Sequence, residues 1–142
     1  MRKIGVADTT FARVDMADAA VQALKGQGTG FRVVRRTVPG IKDLPVACRQ
    51  MFQEDHVDLC LALGMPGKAE YDKTCAHEAS LGLLFTSVLE AKPIVECFVF
   101  EGEAEGIKTD QVIDAILKSI ADTKPETKSE KNEKKGQAVG MA

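Results

Sequence analysis

Short apolar runs and stretches of helical periodicity alternate four times along this chain of 142 residues, and that alternation leaves few folds open. Lys3 to Ala7 reads as a strand, and Asp15 then opens a helix in which Val14, Ala17, Val21 and Leu24 recur at helical spacing until Gly26 closes it. Phe31 to Val38 reads as a second strand, rich in β-branched residues. Asp43 caps a second helix with Pro45 in its first turn, where a missing N–H costs nothing, and Leu44, Ala47, Cys48, Met51 and Phe52 form its apolar stripe. Val57 to Leu63 is nearly continuously apolar, as expected of a strand covered on both faces. A long helix from about Asp72 to Ala91 and a strand from Pro93 to Phe100 follow, then a helix from near Asp110 carrying Val112, Ile113, Ile116, Leu117 and Ile120. Strand then helix, four times over, means a parallel sheet with right-handed crossovers. The expected fold is therefore α/β, a flavodoxin-like three-layer sandwich on a four-stranded parallel sheet.

The third helix is wider in its apolar arc than one core contact requires. Ala76, Ala79, Leu83 and Leu84 make one stripe, and Leu81, Phe85, Val88 and Leu89 make a second beside it. A helix apolar on two adjoining sides has two partners, so this one is expected at an intermolecular interface; the alternative is a helix sunk deeper in its own core. From about Lys124 the periodicity stops, which divides the chain into one domain over residues 1–123 and a charged, disordered tail over 124–142. That tail carries five Lys and three Glu, a net +2, which leaves the first 123 residues at −4 within the whole-chain charge of −2. Nothing in that balance calls for nucleic acid. No apolar run is long enough to span a bilayer, and the opening residues lack the pattern of a signal peptide, so a cytoplasmic location is expected. Cys48, Cys60, Cys75 and Cys97 include no CxxC pair and read as reduced, mostly buried thiols. Cys75 and His77 could be half of a metal site, but no second ligand pair accompanies them.

In a doubly wound fold, ligands bind beyond the carboxyl ends of the strands, near the point where strand order reverses. Four loops fall at that end: Asp8 to Arg13, Thr37 to Pro45, Gly64 to Lys68, and Glu101 to Glu105. No GxGxxG, P-loop or G-x-S-x-G motif occurs, which disfavours dinucleotide, triphosphate and α/β-hydrolase chemistry. The loops instead offer hydroxyls (Thr9, Thr10), an aromatic face (Phe11), backbone amides (Gly40, Gly64, Gly67) and isolated charges (Lys42, Asp43, Lys68). These suit a flat, neutral or weakly anionic heterocycle carrying a polyol. Each has a duller reading: Phe11 tucked onto the core, Pro39-Gly40 as a plain tight turn, Lys42 with Asp43 as a solvated pair. His77, beside Glu78 in the first turns of the third helix, can titrate near neutrality and is a candidate acid or base. His56 reads as bystander surface.

Four strings in order, Asp8-Thr-Thr-Phe-Ala-Arg-Val-Asp-Met-Ala17, Thr37-Val-Pro-Gly-Ile-Lys-Asp-Leu-Pro-Val-Ala-Cys48, Ala62-Leu-Gly-Met-Pro-Gly-Lys-Ala-Glu70 and Cys75-Ala-His-Glu-Ala-Ser-Leu-Gly82, resemble the archaeal-type riboflavin synthases. That family is related in fold to lumazine synthase, and the similarity spans roughly residues 3 to 105. The resemblance implies a transferase that joins two molecules of 6,7-dimethyl-8-ribityllumazine, moving a four-carbon unit between them to give riboflavin and 5-amino-6-(ribitylamino)uracil. It also implies a homopentamer with sites between subunits, magnesium support and no organic cofactor. On the matching positions, Phe11 would stack on one ring, with Thr9, Thr10 and Asp43 bonding ribityl hydroxyls. Val38, Pro39, Gly40 and Ile41 would line the ring edges, as would Gly64, Met65, Pro66 and Gly67. Lys42 or Lys68 would steady the anion, and His77 with Glu78 would move protons. The position of the metal is not implied. Family members carry a longer, helix-rich C-terminal segment than this chain's one helix and charged tail. The alternatives are a lumazine synthase-like enzyme, which would call for a phosphate-binding arginine late in a chain that has no Arg after Arg49, and a non-catalytic flavin- or lumazine-binding protein.

Overall fold

A computed structural model describes residues 2–12, 15–26 and 30–100. The Glu101 to Glu105 loop, the helix expected from Asp110 and the charged tail lie outside the described residues, as do Arg13 and Val14. Four strands, β1 (Arg2–Thr9), β2 (Phe31–Val38), β3 (Leu59–Gly64) and β4 (Ile94–Phe98), form one parallel sheet in the order β2-β1-β3-β4. Three helices, α1 (Met16–Gly26), α2 (Leu44–Glu54) and α3 (Glu70–Glu90), connect them, with a 3-10 turn at Ile41–Asp43 leading into α2. The expected α/β sandwich is what forms.

Strand alternation assigns the two faces. Val6, Leu61 and Leu63 point to one side and close a core with Met16, Ala17, Ala20 and Leu24 of α1. Ala7, Cys60 and Ala62 point to the other and meet Leu44, Ala47, Cys48, Met51 and Phe52 of α2 together with Leu83 of α3. The whole α2 stripe expected from the sequence is buried. So are Cys48 and Cys60, while Cys75 and Cys97 are half-buried, and all four thiols are free.

The differences from expectation have physical reasons. β1 runs two residues past Ala7, because Asp8 and Thr9 stay in register with Thr37 and Val38 and the Asp8 carboxylate finds partners on β2. β3 starts at Leu59, because His56 takes a left-handed conformation (φ 56°) and the Val57 N–H bonds back to the Met51 carbonyl (3.3 Å) as a helix-end turn. β4 stops at Phe98. α3 begins two residues early, with the Asp72 carboxylate accepting the Ala69 N–H (3.1 Å) and so capping the helix from its third residue. Leu84, grouped from the sequence in one stripe with Ala76, Ala79 and Leu83, which are buried, is 62% exposed and stands outside with Leu81, Phe85, Val88 and Leu89; Thr86 is buried instead.

Candidate active site at the carboxyl edge of the sheet

The chain runs outward from β1 to β2, then returns past β1 to β3, so strand order reverses between β1 and β3. A crevice at that reversal is where open α/β sheets bind ligands. Thr9 pairs in register with Val38, and Gly64 with Phe98. The β1–β3 register, Ala7 opposite Ala62, carried two residues on, brings Thr9 level with Gly64. Val38, Thr9, Gly64 and Phe98 therefore make one row across the carboxyl edge, on the side of α2 and α3.

Ile41, at the start of the 3-10 turn, lies over this row. A Cβ on residue 64 would stand 2.7 Å from the Ile41 Cγ2 and 3.2 Å from the Phe98 ring. Only glycine fits there without moving a neighbour. Beside it, the Thr9 hydroxyl is fully buried and has no hydrogen-bond partner among the described residues. Such a group costs on the order of 1–3 kcal/mol. A buried orphan hydroxyl next to a side-chain-free position at the strand reversal is the clearest mark of a ligand site in the described structure.

The neighbouring loops are pinned to one another. Thr10 donates its N–H to the Val38 carbonyl (2.9 Å) and its hydroxyl to the Pro39 carbonyl (3.4 Å), which joins the loop after β1 to the loop after β2. Phe11, 79% exposed, projects from the first of these with its ring uncovered by its own chain. Gly40 is extended, a conformation open to any residue, and donates its N–H to the Asp43 carboxylate (3.1 Å). Asp43 thus closes its own turn instead of bonding forward into α2, although it stands at the N-cap position. Met65 and Pro66 are buried, Met65 within the α1 core, so Met65 presents backbone to the edge. Gly67 faces the Asp72 carboxylate, which a side chain at 67 would push aside. Lys68 is exposed.

Lys42 and Glu78 come together, Nζ to Oε2 at 2.9 Å, across the gap between the 3-10 turn and α3. Glu78 holds the Lys42 ammonium above its ordinary range, through the hydrogen bond first and its charge second. His77 does not join this pair. It is exposed on the outer face of α3, in line with Leu81, Leu84 and Val88 at helical spacing. Cys75 and His77 acquire no further ligands: no group of three or more His, Cys, Asp or Glu suited to a metal occurs among the described residues.

A second cluster was not assigned a role from sequence. Asp8, its side chain 9% exposed, accepts from Arg35 Nη2 (2.8 Å) and from the Thr37 hydroxyl (2.6 Å) on the α1 side of the sheet. The available signal was an aspartate at the end of β1 and an arginine late in β2, which parallel pairing makes neighbours. Phe98 was missed for a simpler reason, since it read as ordinary strand.

The family model described as 6,7-dimethyl-8-ribityllumazine synthase matches residues 2–139. A riboflavin synthase of Methanothermobacter marburgensis is 51% identical over 105 residues, 74% of this chain and 69% of that protein. The chain belongs to this family, in its archaeal riboflavin synthase branch. Within the branch, the riboflavin synthase of Aeropyrum pernix is 45% identical over 102 residues, 72% of this chain and 65% of its own length. A 6,7-dimethyl-8-ribityllumazine synthase of Methanococcus aeolicus is more distant, 28% over 89 residues, 61% of this chain and 62% of that one. Membership agrees with the parallel four-stranded sheet. No described helix is long and apolar enough to cross a membrane.

Proposed function

We propose that the chain is a riboflavin synthase that dismutates two molecules of 6,7-dimethyl-8-ribityllumazine, passing a four-carbon unit from one to the other and releasing riboflavin and 5-amino-6-(ribitylamino)uracil. The observation that carries this is the 51% identity to a riboflavin synthase across 105 residues. The strand-end geometry supports it. The lumazine C7 methyl is acidic because its anion spreads through the heterocycle, so the protein's main task is to hold two rings in reacting distance. Positioning of that kind is worth on the order of 7–11 kcal/mol of barrier.

In this reading the Thr9 hydroxyl takes a ribityl hydroxyl as its missing partner, with Thr10 and Asp43 beside it. Phe11 supplies a stacking face, and the backbone from Val38 to Ile41 and from Gly64 to Gly67 meets the ring edges. Lys42, already paired with Glu78, steadies negative charge on the heterocycle, with Lys68 as the second cation at the rim. His77 is exposed on α3, which favours proton chemistry at a subunit boundary in the proposed oligomer. The exposed apolar face of α3 favours a closed homo-oligomer, and a pentamer with shared sites is the proposed form. A cytoplasmic location belongs to the same reading. So does magnesium support, although the described residues offer no cage for the ion and none of the roles assigned above uses it.

The test is incubation of the purified protein with the lumazine and magnesium, with no four-carbon phosphate added. Growth of riboflavin fluorescence is the expected result. Tight binding without product would favour a carrier, and lumazine formation from the uracil plus a four-carbon phosphate would favour the synthase of the preceding step. Titrating magnesium against a chelator in the same assay tests the ion.

A further inference from the structure

Arg35 touches the chain on both sides of the segment that carries Thr9, Thr10 and Phe11. Its Nη2 donates to Asp8 Oδ2 at 2.8 Å, and Nε reaches Asp8 Oδ1 at 3.4 Å, immediately before the loop. The same Nη2 donates to Asp15 Oδ1 at 3.1 Å, immediately after it. Neither aspartate is an idle surface charge. Asp8 is nearly buried and also accepts the Thr37 hydroxyl, while Asp15 Oδ1 accepts the Asp18 N–H (2.9 Å) and so caps α1. One planar guanidinium on β2 thereby ties the end of β1 to the start of α1, on either side of Phe11 in the sequence. The bridge runs through Nη2 alone, while the two-nitrogen grip of Nε and Nη2 on Asp8 is one that a point-charge ammonium lacks.

Phe11 needs such support more than its neighbours do. Thr9 is held by burial and Thr10 by two hydrogen bonds to the next loop, but the Phe11 ring is exposed and packs on little of its own chain. An aromatic platform that is not packed must be oriented through its backbone, or its ordering is charged to ligand binding. We infer that Arg35, through Asp8 and Asp15, is a positioning residue for the substrate-stacking Phe11. This rests on the riboflavin synthase reading above. Arg35 itself lies on the opposite side of the sheet from the row of Thr9 and Gly64.

The experiment is a double-mutant cycle on the full chain, read by steady-state kinetics with the lumazine and by thermal melting. Arg35→Gln should raise KM about tenfold with a much smaller change in kcat, because preorganisation is lost while the reacting groups remain. Arg35→Lys should recover only part of this. Asp15→Asn takes the charge off the outer arm while its amide oxygen still caps α1, so the weakened arm should raise KM about threefold at unchanged melting temperature; it serves if Arg35→Gln does not fold. In a Phe11→Ala background each substitution should change KM less than about twofold, since coupled residues are not additive. Full additivity of Arg35→Gln, or of Asp15→Asn, with Phe11→Ala would overturn the inference, as would loss in kcat alone. A Phe11→Ala protein of unaltered KM would overturn it too. A wild-type chain that makes no riboflavin would instead sink the functional reading, and the two failures are told apart by that first control.

Discussion

Thr9 and Gly64 stand side by side where the strand order turns back, and each is intelligible only with something else in mind. A buried hydroxyl without a partner costs stability, and a glycine at the end of a fully buried strand forgoes the packing a side chain would add. The Ile41 side chain occupies the space that a larger residue at 64 would need. Gly64→Ala is therefore expected to displace Ile41 and the turn behind it, costing about 1–3 kcal/mol by overpacking. Urea unfolding checks the stability. The same variant should bind the lumazine more weakly, since Ile41 and Gly40 share that turn. The thiols give a second prediction at this scale. Hydrogen bonding with Cys48, with burial next, drives the Cys60 thiol far above the ordinary range, and burial raises Cys97. A raised thiol pKa means less thiolate, so at pH 8 neither should react appreciably with iodoacetamide in the native state, and half-buried Cys75 should be labelled first. Mass spectrometry of digests after limited labelling reads this directly.

At the scale of elements, α3 ends on a residue that its backbone does not suit. Ala91 adopts a left-handed conformation (φ 50°), with the Lys92 N–H bonding back to the Ser87 carbonyl (3.2 Å). Glycine takes that conformation freely, so Ala91→Gly should stabilise the protein by up to about 1 kcal/mol, seen as a higher melting temperature with the same assembly state. The elements themselves were legible because their periodicities are strong: the stripe from Leu44 to Phe52 is buried residue for residue. Ends were less legible. Asp8 and Thr9 look like loop because they are polar, yet their backbones continue the ladder and Arg35 with Thr37 satisfies the carboxylate from another element. Leu84 shows the complementary limit. Composition says that it is apolar, but only the packing of α2 and β4 decides which side of α3 is inside. Candidate site residues were legible as loops at one end of the sheet; that Glu78 pairs with Lys42 instead of standing by His77 depends on a crossing of elements that no local spacing encodes.

For the whole molecule, the outer face of α3 is the feature that the single chain leaves unresolved. Leu81, Leu84, Phe85, Val88 and Leu89 are all exposed, and Val46 of α2 is exposed as well. Exposed apolar side chains grouped along one helix face favour the oligomer proposed above. Phe85→Glu should shift the protein to smaller species in sedimentation velocity, with far-UV circular dichroism unchanged, because its side chain supports no part of the described core. If sites are shared between subunits, riboflavin formation should fall with the assembly rather than with the fold. Retention of full turnover by a monomeric Phe85→Glu protein would separate catalysis from association.

The same helix face has a consequence before any substrate is met. A newly made chain, already folded, displays exposed apolar side chains along α3, and in the proposed oligomer its fate is a race between finding sister chains and clumping with strangers. If the working form is the proposed oligomer, synthesis rate and local crowding of sister chains set how much of the protein reaches it. A cell that makes too little at once would lose activity out of proportion to the shortfall.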